Sequence, residues 1–199
     1  IAATMLSFAD HTHQKSFDPL VDAKIGYVPA APPDMRGSFS FGQNSIANET
    51  VNDRTKSDDL ALDGSILHLT TEKLGIRLVG SYAQSAYHTA GYSDVMNYSA
   101  GVFVVEQYSP KLKLLTGVTT LEWWTSDLAP GQRSVSTRDL RYTVGAEGDL
   151  APKLTSNIQV GWLKREFNSP GFTGADSAYV SAQISWLASE KRTWSLLLS

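Results

Sequence analysis

Arg138-Asp139-Leu140-Arg141-Tyr142-Thr143-Val144-Gly145-Ala146-Glu147-Gly148-Asp149 is the stretch that decides the fold. Its odd positions carry Asp139, Arg141, Thr143, Glu147 and Asp149, and its even positions carry Leu140, Tyr142, Val144 and Ala146. Alternation with a period of two marks a β-strand with one polar and one apolar face. In a water-soluble sandwich the apolar face would be core; in a membrane barrel it would face lipid, with the charges inside.

Neighbouring stretches repeat the pattern. Leu154, Ile158, Val160 and Trp162 oppose Thr155, Asn157, Gln159 and Arg165, and Val180, Ala182, Ile184 and Trp186 oppose Tyr179, Ser181, Gln183 and Ser185. Leu74, Ile76, Leu78 and Tyr82 oppose Arg77 and Ser81; Phe39 and Phe41 oppose Arg36, Ser38 and Ser40; Ala23, Ile25 and Tyr27 oppose Asp22 and Lys24. On residues 112–126 the same reading sets Leu115, Thr119, Leu121 and Trp123 on the apolar side, with Lys113 sharing their parity, against Thr116, Thr120 and Glu122.

Between these strands a short Lys-bearing turn recurs: Thr71-Glu72-Lys73-Leu74, Ser109-Pro110-Lys111-Leu112, Ala151-Pro152-Lys153-Leu154 and, more loosely, Ser189-Glu190-Lys191-Arg192. The lysines are 38, 42 and 38 residues apart, a period that fits one β-hairpin per repeat. Looser polar stretches at 44–57, 85–94, 127–137 and 168–176 alternate with the tight turns. Short turns at one end and long loops at the other are the asymmetry of a bacterial outer-membrane barrel.

The expected fold is therefore all-β: a single antiparallel up-and-down transmembrane β-barrel over residues 1–199. About eleven strands are expected, at 1–8, 18–29, 36–43, 57–70, 74–84, 95–107, 112–126, 137–149, 154–167, 176–187 and 193–199. An odd number of strands leaves an open edge, which lipid does not tolerate. The chain is thus expected to be an incomplete portion of a larger barrel.

No apolar run approaches the ~20 residues that a membrane-crossing helix needs. The net charge of −3 gives no basic excess for nucleic acid, and the absence of cysteine excludes disulfides and thiolate metal sites.

Charges at the bilayer midplane on a lipid face cost about 2–4 kcal/mol each for basic groups. Lys24, Arg36, Arg77, Glu122, Asp139, Arg141, Glu147 and Arg165 are therefore assigned to the lumen. Trp124 shares parity with Glu122 and is assigned inward as well, where a sugar ring could stack on it. Tyr108, Trp123, Trp162, Trp186 and Trp194 sit near strand ends, as interfacial aromatic girdles do.

Catalytic and metal sites find little support. His11 and His13 lack a third ligand, Ser85 and His88 lack an orienting third group, and the acidic run Asp53, Asp58, Asp59 and Asp63 lacks the spacing of a calcium loop. No enzyme activity and no cofactor are expected.

Tyr108-Ser109-Pro110-Lys111-Leu112, Leu150-Ala151-Pro152-Lys153-Leu154 and Val160-Gly161-Trp162-Leu163-Lys164-Arg165-Glu166-Phe167 resemble the β-barrel porin 2 family, in which such turns precede strands ending in a similar aromatic and basic run. The likeness covers roughly residues 70–199 and follows the first third only in outline. It implies a Gram-negative outer-membrane barrel, some relatives being linked to exopolysaccharide operons. The expected function is a porin-like channel for passive diffusion of small polar solutes; the alternatives are a conduit or accessory for exopolysaccharide export, or a plugged structural or adhesive barrel. The expected partners are outer-membrane lipid and lipopolysaccharide, with a homo-oligomer or a periplasmic export partner also compatible.

Overall fold

The computed structural model of the protein describes residues 2–6, 16–27, 33–48, 53–89, 92–126, 136–168, 171–189 and 192–198. Eleven antiparallel strands form one sheet in strict chain order: β1 (Ala2–Leu6), β2 (Ser16–Tyr27), β3 (Asp34–Asn48), β4 (Asp53–Leu69), β5 (Leu74–Tyr87), β6 (Val95–Ser109), β7 (Leu112–Thr125), β8 (Ser136–Ala151), β9 (Leu154–Phe167), β10 (Ala175–Ser189) and β11 (Arg192–Leu198). No helix occurs among the described residues. The up-and-down order is as expected. Among the described residues β1 pairs only with β2 and β11 only with β10, so the sheet is open and not closed into a barrel.

The Lys-bearing turns form for a local reason. The Thr71 hydroxyl accepts the backbone N–H of Leu74 at 2.9 Å, and the Ser109 hydroxyl accepts that of Leu112 at 3.1 Å. A short hydroxyl side chain thus folds the chain back within four residues. Ala151 has no hydroxyl, and its turn instead places Lys153 at φ 69° after Pro152, the pattern of a type II turn.

At the other end the strands outrun the expectation. β3 continues to Asn48 and β4 begins at Asp53, paired from Asn44↔Ser57 to Asn48↔Asp53. Most of the polar stretch 44–57 is thus a hairpin arm, not a loop. The loop between β5 and β6 is tied down by the Asp94 carboxylate, which accepts the Tyr87 N–H at 2.8 Å, and by stacking of Tyr87 on Tyr92. Residues 127–135 and 169–170 of the other two long loops lie outside the described residues, as do His11 and His13.

Cross-strand partners in an antiparallel ladder share a face, so the register fixes both faces across the sheet. One face carries Ile25, Phe39, Leu62, Leu78, Val102, Leu114, Val144, Val160 and Val180, and it is open: Leu78 is 51% exposed and Val144 59%. The other carries most of the charge and is the more enclosed, with Asp139 only 1% exposed. Burial and polarity are therefore inverted relative to a water-soluble sandwich.

Candidate functional site: the polar face of the curled sheet

The polar face is concave. Arg77 on β5 and Glu147 on β8 are three strand steps apart, about 14 Å across the strands of a flat sheet, and four residues out of register besides. Yet the Arg77 guanidinium donates two hydrogen bonds to the Glu147 carboxylate, one of them at 2.8 Å. They meet because the sheet curls with this face inside. Two glycines make room for side chains that lie flat across it. A Cβ on Gly117 would come within 2.4 Å of the Phe103 ring, and one on Gly161 within 2.7 Å of the Tyr179 ring. The Tyr179 hydroxyl, passing over Gly161, hydrogen-bonds the Thr143 hydroxyl.

Seven of the eight residues assigned to the lumen lie on this face. Lys24, Arg36 and Arg77 reach it from β2, β3 and β5; Asp139, Arg141 and Glu147 from β8; Arg165 from β9. They form small networks. Arg165 grips Asp139 with two bonds of 2.7 Å, and Arg141 adds a looser contact at 3.8 Å. Arg36 pairs with Asp34 at 3.0 Å. A cavity of about 690 Å³ along β2–β6 is lined by Lys24, Ser38, Asp63, Ser81 and Ser99, where Ser38 donates to Asp63 and the Ser81 and Ser99 hydroxyls bond at 2.7 Å. A second, of about 300 Å³, reaches from Asp34 and Arg36 on β3 across Arg77 to Lys113 and Glu147.

Glu122 is the exception, and it corrects the whole of β7. Its cross-strand partners are Tyr98 and Arg138, and the same row set continues through Val102, Val118 and Tyr142 on the apolar face. Lys113, Leu115, Thr119 and Leu121 pair with Glu147, Gly145, Arg141 and Asp139 on the polar face. Trp123 follows them, paired with Thr137, and Trp124 turns outward, its ring edge against Tyr98 at 5.7 Å. Leu114-Leu115 and Trp123-Trp124 are doublets and threonines fill both faces, so β7 itself carries almost no alternation and its faces are opposite to those its sequence suggests. Its neighbours did carry the signal: register against β8 fixes the face.

Trp162, Trp186 and Trp194 are on the apolar face, Trp186 directly across from Trp194, and Tyr108 stands exposed at the bulge beside its turn. Trp123 is not on that face. At the long-loop end of the apolar face a row of charges crosses β7 to β9: Glu122 contacts Arg138 at 3.3 Å, Arg138 lies across from Glu166, and Lys164 contacts Glu166 at 2.9 Å. The sequence alone does not reveal this belt, which needs the register of three strands.

The remaining candidates separate. The His88 ring bonds the Asp58 carboxylate at 2.8 Å, while Ser85 lies on the polar face across from Asp59. The acidic run is split in the same way, Asp58 on one face and Asp59 and Asp63 on the other. No group of three or more metal-ligating side chains occurs among the described residues. No family model, curated protein or solved structure was found to match the chain.

Proposed function

We propose that the chain forms the wall of an outer-membrane β-barrel channel for passive diffusion of small polar solutes. The observation that carries this reading is the inversion of the two faces. Apolar surface in water costs about 25 cal/mol per Å², and soluble monomers rarely leave contiguous apolar patches beyond a few hundred Å². Here exposed large apolar side chains run across one sheet face from Ile25 to Leu196, interrupted by charge only at its long-loop end. Lipid removes that cost, and the buried charges opposite suit a wet interior.

The dimensions agree. On β8 the apolar face runs uncharged from Leu140 to Leu150, roughly 33 Å at ~3.3 Å per residue. At the ~35–45° tilt of outer-membrane strands that span stands about 25 Å tall, the height of their apolar band. Arg138 and Glu166 begin where the band ends, at the level of the outer-leaflet head groups, and Trp186, Trp194 and Tyr108 mark the short-turn side. The resemblance of the turns and of residues 160–167 to the β-barrel porin 2 family points the same way. Lipopolysaccharide is the partner this belt would meet.

A second reading, a conduit for exported polysaccharide, draws on Trp123 and Phe167, which share the polar face near the long loops with Thr137 between them. Aromatic rings so placed could stack on sugar rings. Single-channel recording in planar bilayers tests the first reading: stable conductance steps with a reproducible reversal potential are expected. Silence from folded protein would overturn it, and loss of secreted polymer on deletion would then favour the second.

A further inference from the structure

The cavity at the short-turn half of the polar face joins charges from four strands. Arg36 and Asp34 come from β3, Arg77 from β5, Lys113 from β7 and Glu147 from β8. Three cations against two carboxylates leave a net charge of +1. The carboxylates are already engaged, Asp34 by Arg36 and Glu147 by Arg77. Lys113 lies across from Glu147 and adds to the positive field on it, but makes no ion-pair contact within 4.0 Å among the described residues, so its ammonium keeps donors for a ligand. The Arg36 guanidinium, 67% exposed, keeps donors free. Arg77 and Glu147 are only 20% and 24% exposed, so charges here are less screened than at an open surface.

We infer that this cavity is a binding station for a small oxyanion, held by the Lys113 ammonium and the free donors of Arg36 and backed by the Arg77–Glu147 pair. A cation would meet carboxylates already engaged by guanidinium donors, amid a net positive charge. A neutral solute would leave the Lys113 charge unanswered. An oxyanion answers it with several acceptor atoms, and charge-assisted hydrogen bonds of this kind are about twice as strong as neutral ones. The 300 Å³ cavity admits one tetrahedral or planar oxyanion and its waters. Lys113 also explains itself: on the lipid face it would be a cost, and on this face it makes a site. The station's part in permeation rests on the channel reading, whereas the binding itself does not.

Calorimetric titration of inorganic phosphate into the detergent-folded chain at low salt tests the site. Saturable binding is expected, weakened roughly tenfold by Lys113→Gln, restored by Lys113→Arg, and unchanged by Lys111→Gln, which removes the same charge from the adjacent turn. Absence of saturable binding, or equal loss in Lys113→Gln and Lys111→Gln, would overturn the site. Acetate in competition at similar concentration marks the site as carboxylate-accepting, and its failure to compete marks it as selective for phosphate; both outcomes retain the oxyanion. Binding without conductance would sink the channel alone, and conductance without binding the station alone.

Discussion

Gln159 and Val160 are adjacent on β9 and face different surroundings. Gln159 shares the polar face with Gly145 and Ser181; Val160 stands on the apolar face between Val144 and Val180 and is 47% exposed. Through the middle of the sheet the enclosed face holds the ion pairs and the open face the large apolar side chains, and charges enter the open face only toward the long-loop end. Such a sheet gains nothing from water on its apolar side. Its stability depends on what lies against that side, which is why the two neighbours should tolerate the same substitution so differently.

The sharpest break of the comparison places an arginine on each. Val160→Arg in protein folded into lipid vesicles should lose about 2–4 kcal/mol, the cost of that charge near a bilayer midplane. Gln159→Arg should stay within about 1 kcal/mol, as substitutions in solvated settings do. Urea unfolding followed by tryptophan fluorescence reads both. Equal losses would show that the faces do not differ as their exposure implies.

A smaller effect belongs to the enclosed face. Arg165→Ala leaves Asp139, 1% exposed, with the 3.8 Å contact from Arg141 as its remaining ion pair among the described residues. Removing one partner of a buried pair costs more than the pair contributes, because a desolvated charge remains. A loss of about 2–3 kcal/mol is expected, less than for a fully enclosed pair because Arg165 itself is 42% exposed. Adding Asp139→Asn should recover part of it. A double variant no better than the single would mean that Asp139 is not the residue left stranded.

How much of this is legible in the sequence depends on the strand. β8 and β9 announce their faces because polar or glycine positions alternate with apolar ones from Asp139 to Glu147 and, but for Ser156, from Leu154 to Trp162. β7 does not, and its face is settled only by the neighbours that pair with it. The arms of β3 and β4 beyond Asn44 and Ser57 read as loop because both of their faces are polar, yet they pair to Asn48 and Asp53. A strand that projects past an apolar band has no reason to alternate. The Arg77–Glu147 contact joins residues 70 apart and follows from curvature, which no local pattern encodes. Lys113 became a site residue for the same two reasons: a strand read on the wrong face and a cavity closed by distant strands.

The smallest effect lies at the rim where the faces meet. Two of the Lys-bearing turns are held by a hydroxyl, Thr71 and Ser109, and the third has Ala151 in that place. That turn reverses by holding Lys153 at φ 69°. For a residue with a Cβ the left-handed region costs about 1 kcal/mol, whereas glycine enters it freely but loses more entropy on folding. Lys153→Gly should therefore stabilise the hairpin of β8 and β9 by a net ~0.5 kcal/mol, and Lys111→Gly, in a turn already closed by Ser109, should not. Hydrogen exchange of the amides beside each turn resolves differences of that size. Equal protection in the two variants would mean that the Ala151 turn carries no strain and that the missing hydroxyl is replaced by something other than backbone geometry.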